Sequence, residues 1–143
     1  MVILSLQVGL AKEAEREIFD DEEYISYISG STTIKFTIYE DDLEASEWDG
    51  DLSRLRVSMA DAIHIAKKFL VGFGYKLENL ELAGVSLQEL STGWWIWEVI
   101  LIDGQQTASS PIRLKIPVLL SGKVPPHSKL EAPTPSPPTA VKE

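Results

Sequence analysis

The chain contains no cysteine and only two histidines, His64 and His127, among its 143 residues. The absence of cysteine excludes a disulfide framework, a thiolate metal site and a cysteine nucleophile. Two histidines are few for a histidine-based metal site or for acid–base catalysis. No hydrolase motif and no phosphate-loop motif is present. No apolar run reaches the roughly 18 residues that a membrane-spanning helix needs. We therefore expect no enzyme, no bound cofactor or metal and no membrane span.

Basic residues are also scarce, since 13 Lys and Arg stand against 22 Asp and Glu and give a formal net charge of −9. A nucleic-acid-binding protein needs a basic patch that meets phosphates, so this charge argues against such a function. The acidity is concentrated in residues 1–51, which carry a net charge of −11, whereas residues 52–124 carry +2. The sequence thus predicts an acidic segment attached to a nearly neutral body.

The acidic segment has three interpretations. It is a solvated face that keeps the protein soluble, or a docking surface for a basic protein partner built on Asp41, Asp42 and Glu44. The third is a metal site formed by these residues with Glu40, although the loop pattern of calcium sites is missing.

The first ten residues are apolar, but no Lys or Arg precedes them and no small-residue cleavage signal follows. A secretory signal is therefore not predicted. This favours a cytoplasmic protein, while the compartment itself stays open.

The acidic part is expected to contain a helix followed by a hairpin. Residues 11–19 are rich in good helix formers, and the four acids of residues 20–23 would end the helix. Residues 24–28 and 32–39 are β-branched and aromatic, with Gly30 and Ser31 as the turn between them. The core of the hairpin would be Ile34, Phe36 and Ile38, and an acidic loop over residues 41–52 would follow.

The clearest element is a helix from Met59 to Val71. Ser58 followed by Asp61 forms a capping box, in which each side chain accepts a hydrogen bond from a free backbone N–H. Gly72 and Gly74 would end the helix, because glycine adopts the left-handed conformation at little cost.

Three strands are expected after the helix. The alternation in residues 76–90 changes phase at Gly84, which indicates a bulge, and residues 94–102 have strong strand character. The last strand, opening at Pro111, contains Pro117, which cannot donate to a ladder, so it is an edge or bulged strand.

The expected fold class is α+β, with an antiparallel sheet, one main helix across a face, and an N-terminal helix and hairpin. A single domain would span residues 1–124, divided into an acidic part, 1–56, and a helix-and-strand part, 57–124. Residues 125–143 include six prolines among 19 residues, which predicts a disordered tail.

Because side chains alternate between the two faces of a strand, the expected strand over residues 94–102 has two apolar faces. Trp95, Trp97, Val99 and Leu101 would pack under the helix residues Ala62, Ile63, Ala66 and Leu70. The opposite face carries Trp94, Ile96, Ile100 and Ile102, where a half-exposed sheet would show polar residues. Either the N-terminal part of the chain covers this face, or a partner or an apolar ligand does. Glu98 on the same face would pair with Arg113 or Lys115.

The stretch from Val57 to Val124 resembles PepSY-type domains, which belong with cystatin-like folds. The resemblance rests on the capped helix at Ser58–Ala66, on Trp97-Glu98-Val99 in a middle strand, and on a final strand that ends in Leu119-Leu120-Ser121-Gly122. It implies a non-enzymatic module that regulates or inhibits peptidases, or that binds partners, and it supplies no catalytic residues.

We therefore expect a non-catalytic interaction or regulatory module, with a peptidase as one candidate target. Its partner-binding residues would be Trp94, Ile96, Ile100 and Ile102, together with Asp41, Asp42 and Glu44. The alternatives are a structural subunit of a larger assembly and a binder of a small apolar ligand.

Overall fold

The computed structural model describes residues 16–26, 32–104 and 113–131. It contains six strands and two α-helices in these ranges. In chain order they are β1 (Ile18–Ser26), β2 (Thr32–Tyr39), α1 (Glu40–Glu44), α2 (Met59–Val71), β3 (Leu80–Ser91), β4 (Trp94–Asp103), β5 (Arg113–Leu119) and β6 (His127–Glu131). The fold is α+β and mostly sheet, and α2 is the one long helix in the described ranges.

The strands form two antiparallel three-stranded sheets, which we call the first sheet (β1-β2-β6) and the second sheet (β3-β4-β5). In the second sheet the strands follow each other along the chain, as short connections between antiparallel strands require. In the first sheet β6 joins the far side of β2, with Phe36 opposite His127 and Thr32 opposite Glu131. The end of the described chain thereby completes a sheet that begins near its start.

Helix α2 has the predicted bounds, because both of its ends are chemically marked. The Ser58 hydroxyl accepts a hydrogen bond from the Asp61 N–H at 3.1 Å, and the Asp61 carboxylate accepts one from the Ser58 N–H at 3.3 Å. At the other end Gly72 has a right-handed φ of −63°, and only Gly74 has the expected positive φ, at 99°. The chain therefore leaves the helix through one further turn before the left-handed glycine.

The main core lies between α2 and the second sheet. Ala62, Ala66 and Leu70 on the helix are fully buried, and they belong to one cluster with Trp97, Val99 and Leu101 of β4. Ile63 and Trp95 pack against this cluster while partly buried. The predicted packing of the helix on this face of β4 is confirmed.

Strand β2 also contributes to the core. Ile34 and Phe36 belong to the helix cluster, whereas Ile38 belongs to a second cluster with Leu43, Ile96 and Leu119. These three β2 residues are buried, as the sequence predicts. The antiparallel pairing of β1 with β2 is confirmed, but β1 begins at Ile18 instead of residue 24. Residues 27–31, with the expected turn, lie outside the described residues.

The predicted N-terminal helix is wrong for residues 16–19, which are not helical, and residues 11–15 lie outside the described residues. Ile18 begins strand β1, and Phe19 packs its ring against Trp94 with the ring centroids 5.9 Å apart. Asp21, expected to end a helix, instead pairs with Lys35 of β2 at 2.8 Å. Cross-strand pairing and aromatic packing override the local helix propensity.

Two further predictions are corrected. The acidic loop of residues 41–52 contains helix α1, with Leu43 buried, and a 3-10 turn at Leu52–Arg54. The tail that was expected to be disordered contains β6, which β2 holds by ladder hydrogen bonds. Pro126 adds a further contact, because its carbonyl accepts a hydrogen bond from the Thr37 N–H at 2.9 Å. Residues 132–143 lie outside the described residues.

The second sheet carries both predicted irregularities. The register of β3 against β4 shifts between Leu82 and Gly84, as a bulge requires. Strand β5, which contains Pro117, is at an edge of the second sheet. The proline thus lies where a missing N–H donor is tolerated.

Candidate functional site

The face of β4 that points away from α2, which we call the outer face, is covered at one end by the same chain. Ile96 is only 1% exposed and packs with Ile38, Leu43 and Leu119. Trp94 is partly buried against Phe19 of β1. Ile96 is therefore inside the protein and unavailable as a surface contact, and Trp94 keeps only part of its ring exposed.

The other end of the outer face is different. Ile100 and Ile102 are partly buried and belong to neither of the two core clusters. Directly opposite them in β5 are Lys115 and Arg113. Cross-strand partners share a face of the sheet, so two isoleucines and two cations lie side by side, forming what we call the Ile100–Ile102 strip.

Glu98 continues the strip toward the covered end. Its carboxylate lies 3.9 Å from the ammonium nitrogen of Lys115, which confirms the predicted pairing with Lys115. The distance is at the limit of an ion pair, and exposed pairs of this kind contribute little to stability. Arg113 at the other end of the strip is exposed.

The three acidic residues predicted as a docking surface lie on helix α1. Asp41 accepts two hydrogen bonds from the Arg16 guanidinium, at 3.1 and 2.7 Å. Asp42 lies 3.5 Å from the same guanidinium, which also stacks on the Tyr39 ring. Glu44 is exposed. Two of the three carboxylates thus already have a cationic partner within the chain.

The Arg16 pairing has an electrostatic signature. The hydrogen bond from Arg16, with its positive charge, lowers the pKa of Asp41 below its ordinary value, and the same hydrogen bond raises the pKa of Arg16. Asp41 therefore stays ionised further into the acidic range than a free aspartate.

A groove of about 400 Å³ opens near the turn between β3 and β4. It is lined by Glu47, Trp48, Asp49, Arg54, Arg56 and Gly93. Sequence reasoning missed this site, because five of the six residues come from the segment interpreted as an acidic loop and its continuation. The sequence feature that could have indicated this groove is Trp48, a single tryptophan in a polar segment.

The segment from Ser46 to Trp48 is fixed to the start of β4 by backbone hydrogen bonds. The Trp48 N–H donates to the Gly93 carbonyl at 3.0 Å, and the Trp95 N–H donates to the Ser46 carbonyl at 3.3 Å. Glu47 forms an isolated bridge with Trp94. One wall of the groove is therefore a segment that an isolated bridge and backbone hydrogen bonds attach to the start of β4.

The remaining chemistry-bearing residues do not converge on a reactive centre. His64 is exposed on the polar face of α2. Within the described ranges, no group of three or more His, Cys, Asp or Glu is placed to hold a metal ion. None of the helices in those ranges is both long enough and apolar enough to cross a membrane.

Comparison of the chain with protein-family models, with curated proteins and with solved structures finds no match. The resemblance to PepSY-type domains therefore stays a prediction.

Proposed function

We propose that the protein is a non-catalytic interaction module that binds another protein through the Ile100–Ile102 strip. The observation that carries the proposal is the contrast along β4. The chain covers Trp94 and Ile96 with its own N-terminal residues, yet the next two outward-facing isoleucines belong to neither core cluster. Partly exposed apolar side chains held on a regular strand form a rigid contact surface that loses little entropy on binding.

The charges beside the strip favour a partner segment that carries apolar and acidic side chains. Arg113 and Lys115 of β5 lie opposite Ile102 and Ile100 of β4. Carboxylates of the partner would meet these cations while its apolar side chains cover the isoleucines. Such complementarity contributes more to specificity and association rate than to affinity.

A basic partner on helix α1 has weaker support. The Arg16 guanidinium occupies Asp41 and lies close to Asp42, so a basic surface would have to displace it. Of the three predicted carboxylates, Glu44 is the one that pairs with no cation among the described residues. Inhibition of a peptidase, which the PepSY resemblance implies, stays a prediction.

Selection of peptides from a displayed random library tests the proposal. The full chain should enrich peptides that alternate apolar and acidic residues. A double variant, Ile100→Thr with Ile102→Thr, keeps β-branched residues in the strand but removes most of the apolar surface. We expect it to bind the enriched peptides at least about tenfold more weakly, equivalent to roughly 1.4 kcal/mol.

Leu130→Thr is the matched control, because Leu130 is an exposed apolar strand residue of the first sheet. It should bind the selected peptides like the unsubstituted protein. Circular dichroism and thermal melting establish that the variants are folded. Enrichment of peptides whose binding is equal in the double variant and in the control would contradict the proposal.

A further inference from the structure

The groove near the β3–β4 turn lies apart from the Ile100–Ile102 strip and has its own chemistry. We infer that it binds a zwitterionic ligand with an aromatic body, of the class formed by aromatic amino acids and short peptides. Trp48 would contact the aromatic body, Arg56 the carboxylate and Glu47 the ammonium group.

Trp48 is positioned before any ligand arrives. Its indole N–H donates to the Asp51 carbonyl at 2.8 Å, and its ring meets Trp95 edge-to-face with centroids 5.1 Å apart and planes 80° apart. Together with the backbone hydrogen bond to Gly93, these contacts hold the ring at the wall of the groove. A ring that is already fixed loses little conformational freedom when a second ring packs on it.

The charged residues of the groove divide into two sets. Asp49 forms an ion pair with Arg54 at 2.9 Å, and Arg54 also pairs at 3.6 Å with Asp51, which does not line the groove. Arg56 and Glu47 form no side-chain hydrogen bond or ion pair with any residue that the structure describes, and both are exposed. The groove therefore offers one guanidinium and one carboxylate whose charges are not already matched.

These two charges select the ligand class. A ligand that is only an anion would meet Arg56 but also the carboxylates of Glu47 and Asp49. A ligand that is only a cation would meet Glu47 but also Arg56. A zwitterion satisfies both groups, and a guanidinium binds a carboxylate through a planar two-donor fork.

The groove is open to solvent and has room for such a ligand. A volume of about 400 Å³ lies in the ordinary range for small-molecule sites, about 300–1,000 Å³. At Gly93, which has a φ of 81°, no atom lies within 4 Å of the position that a Cβ would take. The ligand can thus approach the backbone of the β3–β4 turn closely.

Titration of the ¹⁵N-labelled full chain with phenylalanine tests this inference. The indole N–H signal of Trp48, assigned with a Trp48→Phe variant, should shift with saturation. N-acetylphenylalanine, which lacks the ammonium group, and phenylalaninamide, which lacks the carboxylate, should each bind at least about fivefold more weakly. Phe-Gly-Gly carries the same charges further apart, so tighter binding of this peptide would identify peptides rather than free amino acids as the ligand.

Two substitutions and one control complete the experiment. Arg56→Gln should remove the preference for phenylalanine over phenylalaninamide, and Glu47→Gln should remove its preference over N-acetylphenylalanine. Lys68→Gln, which removes the same charge as Arg56→Gln at an exposed position of α2, should leave both preferences intact. The inference is overturned if phenylalanine and Phe-Gly-Gly both leave the Trp48 signal unmoved, or if the derivatives lacking a charge bind as well as phenylalanine.

Discussion

Ser46 offers the sharpest test of how the segment around α1 is attached to the second sheet. It is fully buried, and it is the one polar residue of the described ranges in the buried core. Its hydroxyl accepts a hydrogen bond from the Leu120 N–H at 3.0 Å, across a separation of 74 residues. Replacement by alanine would leave that buried N–H without an acceptor, since alanine has no polar side-chain atom.

The expected cost of Ser46→Ala is about 1–3 kcal/mol in the free energy of unfolding, the penalty for an unsatisfied buried donor. In a chain of this size each kcal/mol lowers the Tm by about 2–4 °C. Urea unfolding followed by tryptophan fluorescence measures the loss, and an unchanged slope with urea shows that the unfolded state is unaffected.

Ser86→Ala is the control for this experiment, because the Ser86 hydroxyl accepts a hydrogen bond from the exposed Gln88 side chain, at 2.8 Å, and not from a buried backbone N–H of the described residues. It should change the free energy of unfolding by less than about 0.5 kcal/mol. If Ser46→Ala were as mild as Ser86→Ala, the hydroxyl would not be the acceptor for Leu120, and the described attachment would be wrong.

Three further predictions concern the helix and the acidic segment. Leu70→Ala, at a fully buried helix position, should cost about 2–5 kcal/mol in urea unfolding by opening a cavity, and a cost below 1 kcal/mol would contradict the core assignment. Ser58→Ala removes half of the capping box and should cost about 1 kcal/mol, whereas Ser53→Ala at the surface should cost clearly less. The pKa of Asp41 is lowered in the folded protein, so its stabilising effect is complete above the unfolded-state pKa and disappears as the pH falls through the folded-state value. Asp41→Asn should therefore be less stable than the unsubstituted protein at pH 7, by less than about 1 kcal/mol, and equal to it in strong acid; a difference that persists in acid would refute the ion pair with Arg16.

The sequence predicts α2 and its packing because the signals there are local and redundant. A capping box begins the helix, glycines follow it, and the apolar stripe has a helical period that faces the apolar stripe of β4. The bulge at Gly84 was also predictable from the sequence, because a change of phase in the alternation of apolar residues has few other causes.

The errors fall where distant residues decide the structure. Strand β1 contains Asp20 and Asp21, which disfavour a strand locally, and the partners that stabilise it are Lys35 and Thr37 of β2. Strand β6 is short and flanked by prolines, so it resembles a disordered tail until β2 is known to lie beside it.

The candidate sites were predictable only in part. The sequence identified the outer face of β4 but could not show that Ile96 is covered while Ile100 and Ile102 are outside both core clusters. The groove was missed, because its lining depends on the backbone bonds that bring Trp48 to Gly93.

The pairing of β2 with β6 bears on how this protein acquires its structure during synthesis. Phe36 and His127 are opposite each other in the ladder, so a ribosome must synthesise about 90 residues beyond β2 before the first sheet gains its third strand. Until then one side of β2 has unpaired backbone groups, which other polypeptides can capture. During synthesis, pairing of β2 with β6 therefore competes with pairing of β2 with other chains, which leads to aggregation.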